Sequence, residues 1–573
     1  MLNKYSMNAP RYLLSSRPWH LALLILCLLC LGATLWVGSH IRYIGEPDGA
    51  AYADQADALL AGQGMQVGYV HHYYTRFADI RHPEDNYGPG NGVLLAAAFR
   101  LFGRSAFAAT IPSACLACLL LPLLAFALAR RITASPPFAF GCAVSVMFTF
   151  LVRRHAFFAL VDLPFTACTL AAMLCALRGG LRALLAAGVV LAAACYLKST
   201  GLLLLPIVTL VYYLAAQKPG WRRLAPLAGM WLLCLALLSP WLIRNIHLFG
   251  TPFYSANQYV AAGIDYAPHF WATQRWKVWW ATPHAELPSL AHVGQVYGWG
   301  RVARVVATRL GLAWRIQHLY YLQLVLCLCY FRKRRAIRAL TLGIALFVVI
   351  LCLLFGIESR YLLPMIPLMA AIGWLAYERV LSDVARQWRC TERVSPTLRP
   401  WLAPAVVLVL VILFSAPEAL HLSVQLGGRL PATPPPRADE LEIQASAEWA
   451  RDHLPLDARC MSQSAFQFRY YSQRLVVMMP WDTPEHFEAV VSHYRVGYLL
   501  LCDDYYNSDS RTSRHAYPGV IIAYLQRYAG DWQPIRPPGA PFVLYVHRDV
   551  PWPADVPVPE KTMLAMADSQ ASP

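Results

Sequence analysis

The sequence predicts a polytopic α-helical membrane protein with a small soluble α/β domain near its C-terminal end. Three observations predict it. Of 573 residues 57% are hydrophobic and 14% charged, long apolar stretches recur over the first three quarters of the chain, and the composition turns soluble only after a proline-rich segment. A chain this apolar lies outside the range of soluble globular proteins. The excess of 49 basic over 32 acidic residues would suggest nucleic acid in a soluble protein. In a membrane protein it must first be sorted by side, and nucleic acid is not the expected partner.

Stretches long enough to cross about 30 Å of hydrocarbon lie near 19–38, 107–129, 137–152, 160–177, 183–197, 201–216, 226–243, 310–330, 339–356, 361–377 and 401–417. That makes about eleven spans. With Lys4, Arg11 and Arg17 inside, the even-numbered spans end at Arg130-Arg131, Arg178/Arg182, Lys218/Arg222/Arg223, Arg332-Lys333-Arg334-Arg335 and the basic 379–399 loop. All of these then fall on the cytoplasmic side, so the topology reads N-in and C-out. The first span is followed by "LWVGSHIRYIG", which holds no small-x-small cleavage site, and it reads as a retained anchor. Twelve of the fifteen cysteines lie in the spans, Cys27/Cys30 and Cys115/Cys118 among them, and read as small apolar residues.

Residues 1–430 form the membrane part, with outward loops at 39–106 and 244–309. Residues 431–573 begin with the linker "GGRLPATPPPRADE" and continue as an outer α/β domain. Helix-like patterns at 439–453 and 517–528 mix there with strand-like runs "RLVVMMP", "VGYLLLC" and "FVLYVHR", and the tail after about 557 reads as disordered. Cys460 and Cys502 are the pair that an oxidising compartment would allow to join. In the second loop, Trp271, Trp276, Trp279 and Trp280 surround Arg275 and Lys277, a composition suited to a helix in the membrane interface.

"IGEPDGAAYADQADALLAG", residues 44–62, carries four carboxylates directly after the first span. Pro47 suits the first position of a helix and Gly62 its end. On a helical wheel Asp48, Tyr52, Gln55, Ala56 and Leu59 share one face, while Asp54 and Asp57 point the other way. Asp48 is therefore the carboxylate on the side that faces protein and membrane. An acid in a first turn also simply favours the helix dipole, so the wheel alone does not give it a task.

Other charges do. The outer ends of odd-numbered spans should be poor in cations, yet span 3 ends in "LVRRHAFF" (Arg153, Arg154), span 5 in "CYLKSTG" (Lys198), span 7 in "PWLIRN" (Arg244) and span 9 in "ESRYLLP" (Arg360). Each cation alone is a common snorkelling residue. Together they read as a cationic crown at the outer face, suited to a lipid phosphate. Asp162, in "ALVDLPF", sits where span 4 re-enters the membrane, as an N-cap that also projects into the cavity.

These stretches, with "HPEDNYGPG…FRLFG", "YLKSTGLLLLP", "SPWLIRNIHLFGTPFY" and "SRYLLPMIPL", resemble the GT-C membrane glycosyltransferases over about residues 20–380. The nearest resemblance is to the protein mannosyltransferase-like group that includes the lipid A aminoarabinose transferases. It implies transfer of a sugar from a polyprenyl-phosphate donor to a lipid, glycan or protein acceptor at the extracytoplasmic face of the inner membrane. By position in that pattern Asp48 matches the first-loop catalytic acid and Asp162 the second acidic position. Arg153, Arg154, Lys198, Arg244 and Arg360 are the expected donor-phosphate contacts, and Tyr52, Tyr87 and Tyr361 the expected substrate contacts. Where aminoarabinose transferases carry a Lys-Pro-Pro element this chain reads "IRHPEDNYGPG". Arg81 or His82 stands in its place, and the departure argues against an aminoarabinose donor.

A sugar hydroxyl needs a general base to attack an anomeric carbon at neutral pH, and a phosphate monoester leaves unprotonated if cations neutralise it. The chemistry requires no cofactor. A divalent cation would have His71, His72, His82, Glu84 and Asp85 of the first loop as ligands, but their spacing matches no standard site. The competing expectation is a transporter or flippase of a lipid-linked sugar, since intramembrane charges also serve translocation. Against it stand the absence of an apparent paired repeat and the clustering of the charges on one side.

Overall fold

A computed structural model describes residues 17–73, 75–133, 135–215, 224–256, 298–313, 334–354, 359–387, 405–409, 438–480, 483–503 and 518–553, with Gln295, Val325 and Val556. The tryptophan-rich stretch 271–280 and the tail after 557 lie outside the described residues. The chain divides into two units. The described residues of Met1–Tyr52, Asp85–Ser255 and Tyr297–Pro435 form the first, and those of Ala53–Glu84, Ala256–Val296 and Pro436–Pro573 the second.

The first unit is helical. Among the described residues, five helices are long and apolar enough to cross a membrane: Arg17–Gly38, Ala106–Ile132, Leu224–Phe249, Arg335–Leu353 and Ser359–Val384. Pro136–Phe148, Leu181–Leu197 and Gly201–Ala215 are apolar but shorter. Of the stretches expected from sequence, all but 310–330 and 401–417 fall on helices, and those two lie largely outside the described residues. The helix Leu181–Leu197 packs between Asp162–Arg178 and Leu224–Phe249, and Gly201–Ala215 packs on Arg335–Leu354. Ala187, Ala192 and Ala194 are almost fully buried, small side chains of the kind that let helix backbones approach where lipid supplies no hydrophobic drive.

The second unit holds a six-stranded sheet. With β1 (Gln66–Val67), β2 (Tyr69–Val70), β3 (His82–Pro83), β4 (Arg459–Ser462), β5 (Leu475–Met478), β6 (Tyr498–Cys502), β7 (Trp532–Ile535) and β8 (Phe542–His547), its order is β2-β5-β4-β6-β8-β7. The first four pair in parallel and the last two are antiparallel. Strand β6, parallel to β4 and antiparallel to β8, is buried at all five positions, as a central strand covered on both faces should be. Helices Ala438–His453, Ala465–Ser472, Pro484–Tyr494 and Pro518–Arg527 complete the α/β domain, with Phe487, Val490, Leu499, Leu501 and Tyr524 in its core.

Two features differ from the sequence expectation. Sequence places the domain boundary near residue 430, whereas the first-loop residues 53–84 belong to the second unit. The reason is β2, which pairs Tyr69 with Val476 and Val70 with Val477 at the edge of the sheet. A two-residue strand carries too little alternation to register in a sequence. The Cys460–Cys502 bridge that the sequence left open is absent and both thiols are free. Cys460 lies opposite Tyr498, so Cys502 is four residues further along β6, about 13 Å at strand rise, beyond disulfide reach.

Candidate functional site

The cluster in the first unit is assembled at element ends. Asp48 lies in the first turn of the helix Pro47–Leu60. Asp162 opens the helix Asp162–Arg178 as its first residue, and no side chain caps that end; it is thus not the N-cap expected from sequence. Lys198 follows directly on Leu181–Leu197 in extended conformation. Arg360 and Tyr361 stand in the 3-10 turn Ser359–Met365, which packs on Asp162–Arg178.

Close backbone packing brings these ends together. A Cβ at Gly88 would lie 2.2 Å from the Tyr196 carbonyl oxygen, so "NYGPG" sits directly on "CYLK", with Tyr87 one residue from the contact and Lys198 two. On the other side Asn91 donates to the Ala159 carbonyl at 3.0 Å. Gly49, next to Asp48, lies against Ala159 as well. The segment ahead of Asp162 is therefore held by both neighbouring helix starts.

The result is two acid–cation pairs joined by one aromatic ring. Asp48 accepts from the Tyr87 hydroxyl through Oδ1 at 2.8 Å and from Arg360 Nη1 through Oδ2 at 2.8 Å. Lys198 Nζ donates to Asp162 Oδ1 at 3.1 Å. The Asp162 side chain is 3% exposed and that of Asp48 28%, so one acid is sealed and the other is open to a reactant. Lys198 Nζ lies 4.3 Å and the Arg360 guanidinium 5.4 Å from the centre of the Tyr361 ring, within cation–π range. Tyr52 packs on Tyr87 with ring centres 5.0 Å apart. His155, which lies inside "LVRRHAFF" but carries no sequence signal of its own, is within electrostatic reach of Asp162.

The structure brings Asp48, Asp162, Lys198, Arg360, Tyr52, Tyr87 and Tyr361 into this cluster. It engages the other expected cations differently. Arg153 donates to Cys118 Sγ at 3.2 Å and Thr34 Oγ1 at 2.9 Å, tying together the helices Arg17–Gly38 and Ala106–Ile132. Arg154 pairs with Glu46 at 3.5 Å. Arg244 stacks over Trp241 of its own helix at 4.3 Å and bonds Asn245. Arg81 and His82 belong to the second unit, where Arg81 donates to Gln63. The His82 ring nitrogens lie 2.8 Å from the Pro83 carbonyl and 2.9 Å from that of Tyr69. Among the described residues no group of three or more His, Cys, Asp and Glu is arranged to hold a metal ion. Glu84, one of the first-loop residues a divalent cation would have had as ligands, accepts from Gln55 and Tyr69.

Two other acids of residues 44–62 also meet cations, Glu46 through Arg154 and Asp54 through Arg469. Asp54 accepts from Arg469 Nε at 2.7 Å and from the Gly68 backbone N–H at 2.7 Å. The wheel places it away from Asp48's face, which is where it lies, yet it is buried because Arg469 covers it.

The family model for dolichyl-phosphate-mannose-protein mannosyltransferases matches residues 82–243. No curated protein matches the chain by sequence. Among solved structures, the chain is similar to the Archaeoglobus fulgidus oligosaccharyltransferase tethered to an acceptor peptide, at 12% identity and TM-score 0.57 over 93% of this chain and 74% of that one. It is similar to ArnT from Cupriavidus metallidurans bound to undecaprenyl phosphate, at 12% identity and TM-score 0.54 over 95% of this chain and 100% of that one. A third likeness is to the archaeal oligosaccharyltransferase AglB from Archaeoglobus fulgidus in complex with an inhibitory peptide and a dolichol-phosphate, at 12% identity and TM-score 0.52 over 93% and 75%. The fold of this chain is that of the GT-C membrane glycosyltransferases.

Proposed function

We propose that the chain is a glycosyltransferase that moves a sugar from a polyprenyl-phosphate carrier to a hydroxyl of a lipid, glycan or protein acceptor, at the extracytoplasmic face of the inner membrane. The observation that carries this reading is the half-open Asp48 carboxylate, held by Tyr87 and Arg360 beside the sealed Asp162–Lys198 pair. Undecaprenyl phosphate on ArnT and dolichol-phosphate on AglB, proteins of the same fold, support the class of carrier.

The reaction is a single displacement with inversion. Asp48 takes the proton of the attacking hydroxyl. The acceptor oxygen bonds to the anomeric carbon as the bond from that carbon to the phosphate oxygen breaks, and the electron pair leaves with the phosphate monoester. Lys198 and Arg360 balance the charge that develops there. A guanidinium has five N–H donors, so Arg360, which holds Asp48 at rest, can turn to a phosphate oxygen as the bond breaks. Asp162 fixes Lys198 in place, and Tyr361 keeps both cations over one surface. Side-chain cations on a single phosphate make a metal or organic cofactor unnecessary to this step.

The test uses purified protein in nanodiscs with a panel of polyprenyl-phosphate sugars and envelope acceptors, scoring release of free polyprenyl phosphate. Wild type releases it, and Asp48→Asn loses about 10²–10⁴-fold, the usual contribution of a general base. If wild type consumes no donor yet moves intact lipid-linked sugar between leaflets, the transporter reading replaces this one.

A further inference from the structure

The second unit contains a cleft of about 150 Å³ lined by Asp54, Asp57, Ala58, Ala61, Gln63, Gly68, Arg81 and Arg469. Four of these, Asp54, Asp57, Ala58 and Ala61, recur at i, i+3, i+4 and i+7, so a single helical stripe forms one wall. Asp54 and Asp57 supply its polar edge, and the methyl groups of Ala58 and Ala61 an apolar floor. The opposite wall is made of guanidinium groups, amide and backbone.

Both ends of this lining are built. Asp54 is 3% exposed and binds both Arg469 and the Gly68 N–H. A Cβ at Gly68 would stand 2.6 Å from Arg469 Nε, so only glycine there lets the arginine close on its carboxylate. Arg81 is held by Gln63.

The charges of the lining balance, two carboxylates against two guanidinium groups, and one pair is already neutralised in place at 2.7 Å. An anion would meet the carboxylates and a cation the arginines. What such a lining offers is hydrogen-bond donors and acceptors side by side with a small apolar surface. That is the complement of an uncharged polyhydroxylated ring, whose hydroxyls both donate and accept and whose C–H face is apolar. At ~30 Å³ per water the cleft has space for about five waters, close to one sugar ring and too little for a disaccharide.

We propose that this cleft is a binding subsite for one uncharged sugar ring of a glycan. The inference extends the transferase reading, and it is tested by binding without turnover so that either can fail alone.

The experiment applies saturation-transfer NMR to the full chain in nanodiscs with neutral hexoses and N-acetylhexosamines, and with inorganic phosphate and glycine as charged probes. A neutral monosaccharide should bind wild type and Asp48→Asn alike. Asp57→Asn and Arg81→Gln should each weaken it about tenfold, as loss of a charge-assisted hydrogen bond implies. Ala61→Phe, at an exposed position that leaves every charge in place, should abolish binding while thermal unfolding stays unchanged. The proposal is overturned if no neutral sugar binds. It is equally overturned if phosphate or glycine binds in its place, if Ala61→Phe binds normally, or if Asp48→Asn alone removes binding.

Discussion

Lys198→Met removes the cation and keeps the apolar length of the side chain. It leaves Asp162, 3% exposed and 3.1 Å from Nζ in the native pair, as a buried carboxylate that has lost its countercharge. The gross attraction at that distance is about 5 kcal/mol at an effective dielectric near 20, and desolvation of the two groups offsets much of it. Breaking one side of a buried pair nonetheless costs about 3–5 kcal/mol, because the remaining charge stays desolvated. Lys198 is itself 24% exposed, so water reaches the site and the lower end, about 3 kcal/mol, is expected. Adding Asp162→Asn should return most of that loss, giving a coupling of about 2 kcal/mol or more in a double-mutant cycle. Transfer should behave otherwise. Both variants should be slower by about 10²-fold, since a preorganised charge at the leaving phosphate is missing in each. Thermal unfolding in nanodiscs and release of polyprenyl phosphate separate the two readouts. Recovery of activity together with stability in the double variant would show that the pair only holds the helices and would refute its place in the reaction.

Tyr87→Phe deletes the 2.8 Å bond to Asp48 but keeps the ring against Tyr52. With Asp48 28% exposed, a loss of about 1.4 kcal/mol is expected, read as a tenfold lower kcat with little change in donor KM. Gly88→Ala would place a methyl 2.2 Å from the Tyr196 carbonyl oxygen. Backbone must move, so the unfolding midpoint should drop by an equivalent of about 2 kcal/mol, and kcat should fall further than in Tyr87→Phe. Burial pushes the Cys460 thiol well up, and Cys502, further along the sheet, is buried too. Maleimide should leave both unlabelled in the folded protein and label both after unfolding without reductant; labelling that needs reductant would overturn the free-thiol assignment.

The membrane helices were legible because a long apolar run, in a chain of this composition, points to a membrane span and to little else. Strands β5, β6 and β8 and the helices at 438 and 518 were legible for a similar reason, each being a run with one dominant period. Strands β2 and β7 escaped because residues that complete a sheet from its edge need no pattern of their own, and β4, an inner strand, escaped because its four residues Arg459–Ser462 are too few to show a period. At the site, the anomaly that could be read was charge at span ends where the sequence-derived topology expects few cations. It marked five cations, and the structure places two of them, Lys198 and Arg360, with the acids. Arg153 carries the same sequence signal and serves helix packing through Cys118 and Thr34. A sequence shows that a charge is out of place, whereas its partner, often hundreds of residues away, decides what it does. Arg469 of the second unit meeting Asp54 across 415 positions is the extreme case.

On the proposed reading, the pairing also changes what kind of phosphate site this cluster makes. A crown of five unmatched cations would hold a lipid phosphate tightly, and would hold the product as tightly as the donor. In the structure Lys198 and Arg360 face Asp162 and Asp48, so the resting cluster carries no net charge from these four groups. A donor phosphate must compete with two carboxylates for its cations, which weakens ground-state binding. As the glycosidic bond breaks, negative charge grows on the phosphate just as Asp48 gains a proton and gives up its hold on Arg360. The cation's attraction then moves from the acid to the leaving group. Stabilisation is thus larger in the transition state than before it, which is the form of binding that raises kcat. After the proton leaves Asp48 the pair re-forms, and the carboxylate competes again for Arg360 and expels the product. In this scheme the Arg360 side chain is shared in sequence between two anions, and a cation left unpaired at rest would serve the reaction less well.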